Sequence, residues 1–288
     1  MRRDNFLLLT TAALLSPRAA HAQNDVDPAL SSSRPGLRVL LGRGDAQPGS
    51  GQTFTFNGAA YRGTFERLDD GQIVDVVDIE KYLYSVVPRE MPSSWGQAAL
   101  QAQSICARTY VLQRSDPRRA YDLVPSELDQ VYHGISGETP AGAAAVDSTR
   151  GQVLWYAHGY AQIAYSSCCG GHTESSADAW GNVGFPYLQG VVCTWCSDSP
   201  HYRWTTNLSL DEIASRLSTS LQPGARLNDV QIADRDSSGR ARSFDLVTDR
   251  ANISVSGSSF RRAVGTRVLP SLLVTSMTRG RDGVSLDV

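Results

Sequence analysis

The chain has 288 residues, 41% of them apolar and 19% charged, a balance that suits a folded globular protein and excludes a disordered one. A formal net charge of −2 excludes a generic binder of nucleic acid or anionic membrane.

The N-terminus "MRRDNFLLLTTAALLSPRAAHA" places Arg2 and Arg3 ahead of the apolar run from Phe6 to Leu15, then Ala20-His21-Ala22 as an A-x-A cleavage site. That pattern predicts a secretory signal peptide over residues 1–22, too short to span a bilayer. The Arg2-Arg3 pair also fits twin-arginine export. Cleavage after Ala22 leaves 24 basic and 28 acidic residues and a net charge of −4. With no second apolar run long enough to cross a membrane, the product is expected to be exported, to the periplasm or to the cell wall and beyond. Residues 23–36 are polar, Ser- and Pro-containing and aperiodic, and read as a linker.

From Leu37 the pattern is β. "LRVLLG" and "QTFTFNGAAYRGTFERL" alternate, with Asn57-Gly58 as a hairpin turn. "GQIVDVVDIEKYLYSVV" reads as a continuation of strand, with apolar residues at Ile73, Val74, Val76, Val77 and Ile79. Glu90 follows between Pro88 and Pro92, on backbone the prolines stiffen, just ahead of a helix. Its spacing alone fits an exposed turn residue. Ser94-x-x-Gln97 has the form of a capping box opening a helix over Gln97–Gln113. One stripe of that helix, Gln97, Gln101, Ser104 and Arg108, is polar and falls on one face. It is either a solvent face or a wall of a polar cleft.

"TPAGAAAVDSTRG" fits a short helix. The strands "QVLWYAH" and "YAQIAYSS" follow, joined at His158-Gly159, and "LSLDEIASRLS" is a helix capped at Ser209. The tail from Val230 alternates in short β-like runs: "DVQIADRD", "RSFDLVTD", "ISVSG" and "SLLVTS". The expected fold class is α+β, antiparallel strands with inserted helices in a single domain over residues 37–288.

Of the five cysteines, Cys106 sits in an apolar helix and suits a buried free thiol. Cys168-Cys169 and Cys193/Cys196 form two clusters, with His172 and His201 nearby. In an exported protein the default is disulfides between the clusters, and a structural zinc on the same four sulfurs, or on some of them with a histidine, is the alternative. The loop "SSCCGGHTESSADAWG" offers Ser167, Gly170, Gly171, His172 and Thr173 as polar or close-approach positions and Trp180 as a flat apolar face, a combination that suits a sugar. "DQVYHG" has the same character at Tyr132 and His133. No G-x-S-x-G elbow is present, so a Ser-His-Asp hydrolase fits poorly.

The series "YLYSVVPREMPSSWGQAALQAQSICARTYVL", "DQVYHG", "AAAVDSTRGQVLWY", "AYSSCCGGHTESSADAWG" and "PYLQGVVC" resembles the SpoIID/LytB-type domain of bacterial cell-wall proteins, sporulation protein IID and the amidase enhancer. The resemblance covers roughly residues 37–288. It implies peptidoglycan glycan strands as substrate and lytic transglycosylase activity, with the catalytic glutamate at Glu90 and a family arginine at Arg108, here assigned to the substrate. Gln101, Tyr132, His133, Ser167, Gly170, Gly171, His172 and Thr173 complete the expected binding set, with no metal in it. Family members continue past a strand like "DGVSLDV" into a glycine- and histidine-rich segment, and this chain stops at Val288, so that wall of the cleft is expected to be missing. The alternative function is a non-catalytic peptidoglycan-binding protein that supports a cell-wall amidase.

Overall fold

The computed structural model of the protein describes residues 22–23, 36–181, 183–280 and 283–287. The expected signal peptide (1–22) and linker (23–36) lie outside the described residues, apart from Ala22, Gln23 and Gly36. The described chain divides into two compact units, one ending at Ser167 and the other beginning at Cys168. Both mix helices with antiparallel sheets, so the fold class is α+β as expected.

The first unit opens with strands β1 (Ala22–Gln23), β2 (Leu37–Arg43), β3 (Ala46–Pro48), β4 (Thr53–Phe56), β5 (Ala59–Arg62), β6 (Thr64–Arg67) and β7 (Gln72–Val77). One sheet has the order β2-β7-β6 and another β3-β4-β5. Alternation explains β4: Phe54 and Phe56 are buried, while Thr53 and Thr55 point the other way. Asn57 and Gly58 both take positive φ, 48° and 82°, as a two-residue turn between twisted strands requires. Later in the unit, β8 (Val153–Tyr156) pairs with β1 and with β9 (Gly159–Tyr160). Of the expected strand "YAQIAYSS", only Tyr160 lies in β9.

The expected strand running on through Ile79 is corrected. After β7 the chain turns into α1 (Ile79–Glu90), capped by Asp78, whose side chain accepts the N–H groups of Glu80 and Lys81. Tyr82, Leu83, Val86 and Val87 repeat at helical spacing and are all buried, and this outweighs the β-branched character of the segment. Pro88 lies inside α1 and leaves the Tyr84 carbonyl without its helical donor, and only Arg89 and Glu90 follow it in the helix. Glu90 therefore closes a helix. A 3₁₀ turn (Ser93–Trp95) and Gly96, at φ 90°, lead into α2 (Gln97–Arg114). The expected capping box does not form: Gly96 is the cap residue, and Ser94 is held inside the 3₁₀ turn.

A second 3₁₀ turn (Gly134–Gly137) precedes the expected short helix, α3 (Pro140–Ser148), which is capped by Thr139, its Oγ1 accepting the Gly142 N–H. A Cβ at Gly142 would fall 2.4 Å from Pro88 Cγ, so glycine is what lets α3 approach the end of α1 so closely.

The second unit contains α4 (Ser176–Ala179), β10 (Thr205–Ser209), α5 (Leu210–Arg216), β11 (Leu227–Arg235), β12 (Ala241–Thr248), β13 (Ile253–Ser256), α6 (Gly257–Val264), β14 (Ser276–Arg279) and β15 (Gly283–Asp287). Two of its sheets run β11-β12-β13 and β10-β15-β14. Ser209 caps α5 as expected. Helix α6 is an addition to the sequence reading. Its cap Ser256 and core residues Phe260 and Val264 lie within a serine-rich stretch, and Phe260 stacks on Phe244 at 4.3 Å. In "SLLVTS" only Ser276 enters a strand, and Leu272 accepts the Ala241 N–H.

Candidate functional site

Glu90 ends α1 with its side chain turned inward, only 4% exposed. The backbone N–H of Val131 donates to its Oε1 at 2.8 Å. Burial pushes the carboxyl above its usual range; the Val131 bond opposes that shift and the charge of Glu127 adds to it. The neighbours Val86, Val87 and Met91 are fully buried, as an apolar setting for one carboxyl requires. The phenols of Tyr82, Tyr110 and Tyr165 lie near enough to feel its charge, and all three are raised, first by their own burial. Tyr165 OH accepts from Gln130 Nε2 at 3.4 Å, while Tyr82 OH and Gln130 Oε1 are buried without a protein partner. The result is a buried acid biased toward its protonated form, in surroundings where several polar atoms have spare hydrogen-bonding capacity.

Arg108 is placed differently from expectation. It is 2% exposed, and its Nε and Nη2 donate to the two oxygens of Glu80 at 2.9 and 2.6 Å. Its other N–H groups reach the carbonyls of Gln152 (3.0 Å) and Val146 (3.3 Å). The guanidinium thus joins α1, α2 and α3 and does not face an open cleft. Ser104 is also buried, donating to the Leu100 carbonyl. Gln101 donates to Ser148 Oγ on α3, and only Gln97 of the stripe is exposed.

Tyr132 is likewise an inward residue. Its hydroxyl donates to the fully buried Asp75 at 2.8 Å, and its ring packs against Tyr82 and Tyr61. Burial pushes Asp75 up to about 8, the Tyr132 bond only partly opposing it. His133 is exposed at the surface, its N–H held by Ser85 Oγ. Burial first, and Arg89 second, lower its imidazole pKa. Ser167 is exposed.

In the second unit, Gly170, Gly171, His172 and Thr173 form one side of a short ribbon. Thr173 N–H donates to the Val191 carbonyl, Cys193 N–H to that of Gly171, and His172 pairs with Val192. His172 Nδ1 lies 2.7 Å from the Thr173 carbonyl. Behind the ribbon lies Arg240, which sequence reasoning missed. It is buried and donates to the carbonyls of Cys169 (2.8 Å) and His172 (2.9 Å). Glu174 stands 3.6 Å from it. Burial pushes Glu174 up to about 7, Arg240 opposing and Asp236 reinforcing the shift. The sulfurs of Cys169 and Cys196 lie 3.2 Å apart. Trp180 and Trp195 are exposed beside this loop in sequence, Trp195 by 82%.

Three kinds of relative match the chain. The family model described as Stage II sporulation protein (SpoIID) covers residues 68–156, from the end of the first hairpins through α1, α2 and α3 to β8. An uncharacterized protein of Brachyspira hyodysenteriae is 30% identical over 228 residues, 77% of this chain and 60% of that one. The amidase enhancer of Bacillus subtilis is 36% identical over 135 residues (46% and 18%), and stage II sporulation protein D of the same organism 28% over 176 residues (55% and 51%). The matched region thus spans 18–60% of the length of these relatives. It includes Glu90 and the elements that position it, and over this region the chain is similar to the SpoIID/LytB-type family.

Proposed function

We propose that this protein acts in the bacterial cell wall as an exported lytic transglycosylase that cuts peptidoglycan glycan strands, with Glu90 as its single catalytic carboxyl. The observation that carries the reading is Glu90 itself: buried at the end of α1, held by one backbone donor and biased toward its neutral form. Glycosidases that use water usually need two carboxyl groups. One suffices when the nucleophile is a hydroxyl of the sugar being cleaved. Glu90 gives its proton to the glycosidic oxygen as the C1–O bond breaks. The sugar hydroxyl then closes on C1, and the Glu90 carboxylate takes up that hydroxyl's proton, restoring the acid.

Export rests on the pattern of residues 1–22, and among the described residues no helix is long and apolar enough to cross a membrane. The polar loop around Gly170–Thr173 and the exposed Trp180 and Trp195 suit hydrogen bonding to and stacking on sugar rings. His133 and Ser167 are the exposed members of the first unit's binding set.

The second reading is an amidase-supporting protein that binds glycan without cutting it. The small exposure of Glu90 and the relative named amidase enhancer favour it. Incubation with peptide-free glycan strands followed by mass analysis of the ends separates the two. Anhydro ends support the lyase; reducing ends point to hydrolysis. Intact strands, together with faster peptide release when an amidase acts on whole peptidoglycan in the protein's presence, establish the binding protein.

A further inference from the structure

We propose that Cys168, Cys169, Cys193 and Cys196 hold one structural zinc ion as thiolates. The sulfurs of Cys169, Cys193 and Cys196 all lie within 4.8 Å of one another, and those of Cys169 and Cys196 are 3.2 Å apart. Tetrahedral zinc with bonds of about 2.3 Å sets its sulfurs about 3.8 Å apart, so the three occupy the spacing of three corners. The fourth corner falls to Cys168, whose sulfur lies 3.9 Å from the Cys196 carbonyl and interacts with the Cys196 thiol.

The backbone beside the sulfurs fits a close cluster. Gly170 and Gly171 sit at φ 69° and 103°, where a Cβ is penalised, and this backbone path brings their amides to the cluster. The converging donors are all sulfur, which selects zinc over the hard cations magnesium and calcium.

On binding, each S–H gives its proton to solvent and forms a Zn–S bond, and no electron is transferred. With four protein ligands the site is closed, so the ion stabilises and does not catalyse. It ties the Gly170–Thr173 side of the ribbon to the Cys193–Cys196 segment, on the loop that Arg240 already grips at two carbonyls. The proposal is independent of whether Glu90 cleaves glycan.

The test uses the full chain, purified without added reductant or metal. Elemental analysis is expected to give one zinc per chain, and thiol titration after unfolding in chelator five free thiols. Cobalt exchanged into the protein should show near-ultraviolet thiolate charge-transfer bands and the intense visible bands of a tetrahedral site. One free thiol and no metal would overturn the proposal in favour of two disulfides. Five thiols with no zinc taken up on titration would overturn it as well. Cys106→Ser should keep the full metal content, whereas Cys193→Ser should lose it. If Cys193→Ser does not fold, Cys168→Ser decides the fourth corner: an unchanged cobalt spectrum in that variant refutes the four-sulfur assignment.

Discussion

Glu80 and Arg108 face each other across α1 and α2 as a two-pronged ion pair, both prongs under 3 Å and both residues buried. Removing one partner of such a pair strands the other charge away from water, at about 3–5 kcal/mol. Arg108→Ala should therefore lower unfolding stability by that order in urea titration. The double change Glu80→Leu with Arg108→Met should recover most of it, since apolar residues of similar size carry no stranded charge. A stable Arg108→Ala protein with weakened glycan binding would instead return this arginine to the substrate role.

Glu90→Gln keeps the shape and leaves an amide oxygen to accept the Val131 N–H. The fold should survive, with an unchanged circular dichroism spectrum. Glycan cleavage should fall by about 10²–10⁴-fold, the usual contribution of a positioned acid–base group. Wild-type turnover in this variant would remove Glu90 from the mechanism.

The raised pKa of Glu90 sets the sign of the pH–rate profile. Its proton must be present for the first step, so kcat should decline as pH rises through the folded-state pKa. A rate that climbs across the same range would require an ionised group as the starting base.

Asp75 makes the opposite of the usual carboxylate contribution to stability. Its pKa is pushed up to about 8 in the fold, against about 3.9 unfolded. Between those values the folded chain keeps a proton that the unfolded chain has lost. The contribution is thus fully present below about pH 4 and is lost progressively until about pH 8. Asp75→Asn should flatten that part of the stability–pH curve, measured by denaturant midpoints at several pH values.

Arg240→Ala should free the carbonyls of Cys169 and His172 and loosen the loop they belong to. A hydrogen bond to a charged group contributes about 1.5–3 kcal/mol. Limited proteolysis should therefore cut between residues 168 and 196 sooner than in the parent. An unchanged cleavage pattern would show that the loop is held by other contacts.

Local chemistry was the legible part of this chain. The Asn57-Gly58 turn and the Ser209 cap depend on residues at most three positions apart, and each is where the pattern places it. Distant pairing was not. The stripe ending at Arg108 has the same spacing whether water or Glu80 lies opposite, and Glu80 is 28 positions away on another helix. Tyr132 likewise resembled a sugar-facing aromatic, because its partner Asp75 sits 57 positions earlier in what reads as an ordinary strand. Arg240 hides in the polar run "DRDSSGRAR", which has the composition of any exposed hairpin. The β-branched valines of α1 carry a strand-like signal, which the Asp78 cap and the helical spacing of the buried Tyr82, Leu83, Val86 and Val87 outweigh.

The hydrogen bond on Glu90 comes from the main chain of Val131. Nineteen of the twenty genetically encoded residues can supply that N–H, so exchange of the side chain at 131 leaves the donor in place. A saturation library at this position should be broadly tolerant on that account and single out proline, which has no N–H to give. The bond that opposes the rise in the carboxyl's pKa is thereby insulated from mutational drift at the position that supplies it.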